Sequence, residues 1–211
     1  TGFTGEKGYE IYVRDAHKNA EKMWNAVVEA GEEVGLMVSA SEHHRRIAAG
    51  ILSWGQDLDH ETSPFQVNLS YQVPRNKAAD YIGKEELEKQ RAIIDEGKAP
   101  FKMKMVGLTL GGKEITDYAP DFWLVTDTDG NEVGYVTSPW WSPELETNIA
   151  LAWVPWESSE VGTKFMVKLP DEYSESPGVP VDAKVVDVPF RESVNPNKRE
   201  VQASKGLDYA D

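Results

Sequence analysis

The chain has 211 residues, 40% of them hydrophobic, which suffices for one large domain or two small ones with a true core. Its 22 Lys and Arg against 36 Asp and Glu leave a net charge of −14 and a pI near 4.7, which argues against nucleic acid and anionic membrane as partners, since both recruit basic surface. With no Cys, disulfides, thiolate nucleophiles, iron–sulfur ligation and Cys-based zinc sites are excluded within the chain, and no apolar run is long enough to span a bilayer, so the expectation is a soluble, cytoplasmic protein.

The first stretch, Thr1-Gly2-Phe3-Thr4-Gly5-Glu6-Lys7-Gly8, places Gly at every third position. It reads as a turn whose backbone can approach a flat ligand. From Tyr9 the pattern alternates and predicts a strand, with Tyr9, Ile11 and Val13 on one face and Glu10, Tyr12 and Arg14 on the other. Glu10 is then a carboxylate on a stiff element, able to take a bidentate pair from a heterocycle with adjacent N–H and amino groups. On spacing alone, a Gly-rich hairpin with a solvated Glu is the plainer alternative.

Asp15 caps a predicted helix from Ala16 to about Ala30, with an apolar stripe of Ala20, Met23, Trp24, Val27 and Val28, ended by Gly31 or Gly35. Leu36–Val38 reads as a short strand. Ser39 with Glu42 has the spacing of a capping box before a helix His43–Ala49 that stops at Gly50. His43 and His44 point about 100° apart on a helix, so with Arg45-Arg46 they read as a solvated face rather than a metal site. Trp54 offers a flat face for ring stacking or for a cationic methyl donor, or else is a part-buried loop Trp. Asp57, Asp59, His60 and Glu61 form an acidic turn whose spacing matches no calcium loop, and no metal is expected.

Phe65, Val67, Leu69, Tyr71 and Val73 alternate and predict a strand, with Gln66 and Asn68 as polar candidates on its other face. A charged surface helix runs from Lys84 to about Glu96, ending at Gly97 before Pro100. From Phe101 the character changes to short strands. They are 101–110, 122–126, 132–138, 149–155, 163–169 and 181–188, with Asp129-Gly130 as a hairpin turn. That pattern indicates a small barrel or sandwich. Trp140 and Trp141 sit on a Pro-framed loop, one suited to interface packing and the other to solvent or ligand. Pro170–Pro180 reads as a mobile loop. The predicted organisation is α+β: residues 1–99, residues 100–190 and a polar tail, 191–211.

Gly2 through Ile11 resembles the "GYTGEDGxEI" segment of the glycine-cleavage T-protein (aminomethyltransferase) family. Similar matches follow in order: Ala49-Gly50 to Trp54-Gly55, Asp57 to Pro64, Tyr81 to Glu85, Gly134 to Pro143, Asn148 to Pro155 and Val185 to Phe190. The resemblance implies the C-terminal portion of a folate-binding domain with ferredoxin-like elements, followed by a small antiparallel β-barrel. It assigns tetrahydrofolate as cofactor, with Glu10 on the pterin ring. Tyr12 is grouped with Glu10, Trp54 lies near the reactive end and Trp54 with Trp141 forms the substrate side. It also implies a preceding N-terminal remainder of the same protein, upstream of Thr1, that holds the family's catalytic Asp. The catalytic residue within residues 1–211 is therefore unknown.

One position departs from the family. Its "ARDSLRLEAG" helix carries a first Arg where Glu42 stands, an anion for a cation. Together with Trp140-Trp141 this tilts the expected activity from glycine cleavage towards a tetrahydrofolate-dependent demethylase acting on a small-molecule methyl donor. The alternatives are glycine-cleavage aminomethyl transfer itself, with a lipoyl carrier protein as partner, a non-catalytic folate-binding protein, and the folate half of a flavin-dependent amine dehydrogenase.

Overall fold

The computed structural model describes residues 2–40, 43–75 and 77–191. Three helices precede a barrel: α1 (Ala16–Gly31), α2 (His43–Ala48) and α3 (Lys84–Asp95). The barrel strands are β1 (Met103–Leu110), β2 (Trp123–Thr126), β3 (Glu132–Ser142), β4 (Thr147–Pro155), β5 (Lys164–Val167) and β6 (Val181–Val186). They close in the order β1-β4-β3-β2-β5-β6, and β6 returns to β1, with every pairing antiparallel. Closure leaves no open sheet edge. Six strands form in the stretches that alternation and turn residues marked, so the expected α+β class with a small antiparallel barrel holds; β3 runs on past the expected Ser138 to Ser142, which puts Trp140 and Trp141 on a strand rather than on a loop.

β4 explains how the barrel carries two cores. Ala150, Ala152 and Val154 point inward to Val106, Leu108, Val125, Val136, Phe165 and Val185. Ile149, Leu151 and Trp153 point outward and are covered by Ile47, Ala48 and Val67. A strand buried on both faces reads as a continuous apolar run, and Ile149–Val154 is such a run. Small Ala residues inside let opposite walls approach.

Several local expectations are corrected. Tyr9–Val13, Leu36–Val38 and Phe65–Val73 form no strands. A strand is stable only when its N–H and C=O groups find a ladder partner, and the first two have none among the described residues. Their apolar side chains stand in the open: Tyr9 is 83% exposed and Met37 84%. The third folds as turns that lie against β1. Gln66 C=O accepts from Met105 N–H at 2.8 Å, and the Gln66 and Asn68 amides donate to Met103 and Met105 carbonyls at 3.2 and 3.0 Å. Those two amides therefore bridge segments of the protein.

Asp15 does not cap α1 with its side chain. It sits in the left-handed region at φ 51°, and its carbonyl accepts from Lys18 and Asn19 N–H. Trp24 and Val27 of the α1 stripe remain 52% and 38% exposed. The 170–180 loop is anchored rather than loose: Tyr173 packs into the barrel core, and its carbonyl accepts from Lys113 N–H at 2.8 Å. Ser41, Glu42 and the tail beyond Arg191 lie outside the described residues, and with them the Ser39–Glu42 cap and the tail expectation.

Candidate functional site

A buried polar cluster lies where α2 meets β3. Arg46 and Asp57 are buried together, with side chains 1% and 0% exposed and Nη1 to Oδ2 at 2.8 Å. Asp57 Oδ2 also accepts from Ser53 N–H at 2.8 Å, and Oδ1 accepts from the Thr137 and Ser138 hydroxyls, each at 2.6 Å. Arg46 Nη2 donates to Ser138 Oγ at 2.7 Å and to Gln56 Oε1 at 3.3 Å, while Nη1 also reaches Ile51 C=O. Gln56 in turn donates to Thr137 C=O at 2.7 Å. Each lone-pair direction of the carboxylate is used, which offsets the cost of burying the pair.

Two neighbouring residues of one strand normally point to opposite faces. Thr137 and Ser138 both reach Asp57 because the β3–β4 register slips there: Val136 pairs with Ala152, and Ser138 with Leu151. The extra residue is a bulge that turns both hydroxyls to one side. The Thr-Ser pair and the acidic turn are thus two halves of one clamp, and Asp57 faces inward rather than towards a metal. Among the described residues, no group of three or more His, Asp or Glu is arranged to hold a metal ion.

An aromatic shelf flanks the clamp. His43 stacks on Trp140 with centroids 5.5 Å apart and 26° between planes, and Tyr118 packs on it at 5.1 Å. His43 Nδ1 accepts from Arg46 Nε at 3.3 Å, which leaves the proton of the neutral ring on Nε2. Burial first, and then the Arg46 charge, push the His43 imidazole below its ordinary value. The expectation of a solvated His-His-Arg-Arg face is therefore corrected: His43 is in the aromatic shelf and Arg46 is in the core. The Phe3 ring lies over Arg46 at 6.0 Å, so the Gly-rich turn covers this cluster from outside.

Glu6 ties that turn down. It meets Arg191 Nη1 at 2.8 Å and Arg45 Nη1 at 3.4 Å, and the Arg191 guanidinium holds its carboxyl below the usual carboxylate range. Arg191 Nε lies 2.9 Å from Glu144 Oε2, placed for charge attraction rather than for a well-aimed hydrogen bond. The turn, α2, the end of β3 and the last described residue thus converge.

Beyond the turn, Glu10 is exposed and its Oε2 accepts from the Tyr12 hydroxyl at 2.5 Å. That bond raises the Tyr12 pKa above its ordinary value. Glu10 and Tyr12 are therefore together, as their shared face suggested, on a segment that pairs with no strand among the described residues. Trp54 is 68% exposed, and Trp141 is half-buried, with its backbone N–H donating to Ile115 C=O at 2.8 Å. Among the described residues, no hydrogen bond or ring contact joins Glu10 or Tyr12 to Trp54 or Trp141. Of the paired Trp, Trp140 does the interface packing. Sequence reading missed His43, Arg46 and Asp57 as a unit. The available signal was the Thr-Ser step before a Pro inside a strand, which marks an irregularity.

Comparison with known proteins places this geometry. The sequence profile of the GCVT N-terminal domain matches residues 1–77, and that of the glycine cleavage T-protein C-terminal barrel domain matches residues 104–191. An aminomethyltransferase of Geobacillus sp. (strain WCH70) is 34% identical over 192 residues, 90% of this chain and 48% of that protein. Aminomethyltransferases of Bacillus subtilis (strain 168) and Symbiobacterium thermophilum are 33% and 32% identical, over 90% and 94% of this chain and 48% of each protein. The chain spans about half the length of these curated relatives. The crystal structure of a glycine cleavage system aminomethyltransferase T from Bartonella henselae shares the fold, with a TM-score of 0.55 at 24% identity over 71% of this chain and 37% of that one. With the two domain profiles matching in order, the first holding Arg46 and Asp57 of the clamp and the second Thr137 and Ser138, the chain belongs to the glycine-cleavage T-protein family.

Proposed function

We propose that the protein is a tetrahydrofolate-dependent one-carbon transferase in which Glu10 anchors the pterin ring. The observation that carries this reading is Glu10 itself, an exposed carboxylate oriented by the Tyr12 hydroxyl at 2.5 Å, just after a turn pinned through Glu6. A carboxylate so held suits the paired N–H and amino edge of a reduced pterin, which fixes register through two charge-assisted bonds. Transfer of a one-carbon unit to a ring nitrogen then depends chiefly on position. Exposed Trp54 and half-buried Trp141 supply apolar faces for the donor side.

The donor we favour is aminomethyl, because the relatives carrying most of the likeness are named aminomethyltransferases. This moves the reading away from demethylation. Of the two features behind that expectation, Glu42 lies outside the described residues, and Trp140 is engaged with His43. A lipoyl carrier protein would then present the aminomethyl group, and an N-terminal remainder of the same protein would supply the catalytic Asp. The same reading divides the chain at about residue 99–100 and places the protein in the cytoplasm. Among the described residues, no helix is long and apolar enough to cross a membrane.

The experiment is a turnover screen of the complete protein with tetrahydrofolate and a panel of donors: aminomethyl-lipoyl carrier, dimethylsulfoniopropionate and methoxylated aromatic acids. Formation of methylenetetrahydrofolate with the first alone supports the reading. Formation of methyltetrahydrofolate with either of the others would return the activity to demethylation, and no turnover with any donor would favour a folate-binding role.

A further inference from the structure

A recess with a volume of about 390 Å³ lies between residues 55–66 and barrel residues Phe101, Met103, Phe122, Tyr135 and Trp153. None of Glu10, Tyr12, Trp54 or Trp141 lines it. Its wall is aromatic: Phe101, Phe122, Tyr135 and Trp153. Phe122 and Tyr135 stack with centroids 5.2 Å apart and 17° between planes, yet Phe122 remains 54% exposed and Tyr135 38%. Asp59 and Glu61 complete the lining, and no Lys, Arg or His is part of it. Asp57 also borders the recess, but its carboxylate is committed to Arg46.

Of the two carboxylates, Asp59 is held in place. Asp59 Oδ1 accepts from Glu61 N–H at 2.9 Å and from the Thr62 hydroxyl at 3.1 Å, the first of which holds its carboxyl below the usual range, in the charged form at neutral pH. Asp59 lines the same recess as the stacked pair, and burial first, and then the Asp59 charge, raise the Tyr135 phenol. An exposed π-face beside a carboxylate, with no Lys, Arg or His in the lining itself and His60 acting on Asp59 from outside it, has the complementarity of a cation receptor. The same barrel rim already seats a cation on an aromatic face, with Lys104 Nζ 5.0 Å from the Trp156 ring centre.

We propose that this recess binds a small organic cation with a methylated-ammonium head, seated on Phe122 and Tyr135 and countered by Asp59 and Glu61. The volume is at the lower end of small-molecule sites and fits such a head with a short chain rather than a length of polypeptide. The site stands apart from the pterin reading and does not depend on it.

The test is a titration of the full chain with choline and with its neutral isostere, in which tert-butyl replaces trimethylammonium, followed by calorimetry and by the Trp153 indole N–H resonance. Choline should bind saturably and the isostere about tenfold or more weakly. Phe122→Leu, which keeps apolar bulk but removes the π-face, should weaken choline about fivefold. Asp59→Asn with Glu61→Gln should do the same, with backbone spectra matching the parent as the folding check. Equal binding of the isostere, unchanged affinity in both variants, or no saturable response to choline would each overturn the proposal. So would binding of a Lys-rich peptide without any response to choline, which would make the recess a protein-docking site.

Discussion

Replacing Asp57 with Asn tests whether the buried clamp holds the first part of the chain to the barrel. The change is isosteric, so packing is kept and only charge and hydrogen-bond polarity alter. Asp57 accepts four bonds, two of which come from donors that cannot reverse: Arg46 Nη1 and Ser53 N–H, both at 2.8 Å. Asn must therefore keep its oxygen on that side and turn its amide towards the Thr137 and Ser138 hydroxyls. Those can reorient, Thr137 towards Leu151 C=O at 3.2 Å. What cannot be restored is the counter-charge of Arg46, which is fully buried. Removing one partner of such a pair costs about 3–5 kcal/mol. For a chain of this size, that lowers the melting temperature by roughly 6–20 °C. Thermal unfolding followed by circular dichroism and Trp fluorescence measures it. Arg46→Met combined with Asp57→Asn should cost less than the sum of the single changes, with a coupling of about 1.5 kcal/mol or more. A variant melting within about 2 °C of the parent would show that the clamp is dispensable and would refute the reasoning.

Three further outcomes are expected. His43 should titrate by NMR with a midpoint below its ordinary value of 6.5, because burial and Arg46 disfavour its charged form; a midpoint at or above that value contradicts the shelf geometry. With the folded value depressed, the unfolded chain takes up the proton first. His43 therefore contributes stability above pH 6.5 that is lost as pH falls towards its lower folded value, and His43→Gln should flatten that part of the pH profile of stability. Gly134→Ala would place a Cβ 2.0 Å from Trp153 C=O across the β3–β4 pair, so it should destabilise by about 3 kcal/mol or more in urea unfolding; a neutral result would show that the barrel wall yields there.

The barrel was legible in the sequence because each of its strands has two neighbours, and alternation then becomes burial. Alternation failed at Tyr9–Val13, where the pattern is as good but no ladder partner is present among the described residues, and Ile11 stays 59% exposed. β3 runs past its expected end at Ser138 because Pro139 lies beyond the bulge, where the strand continues against Ala150 and Ile149. The pairing of Glu10 with Tyr12 could be read from alternation, since the two residues stand two apart on one face. The clamp could not be read, because Arg46 is 11 residues from Asp57 and 92 from Ser138, and a run of His-His-Arg-Arg gives no sign of which cation turns inward. Only the fold selects Arg46 for the core and leaves Arg45 on the surface with Glu6.

The pterin assignment meets its most direct test in a tetrahydrofolate titration of the complete protein and its Glu10→Ala form. Loss of at least tenfold in affinity, about 1.4 kcal/mol, is the predicted result. Equal affinity of the two proteins would contradict it and leave the pterin without its anchor.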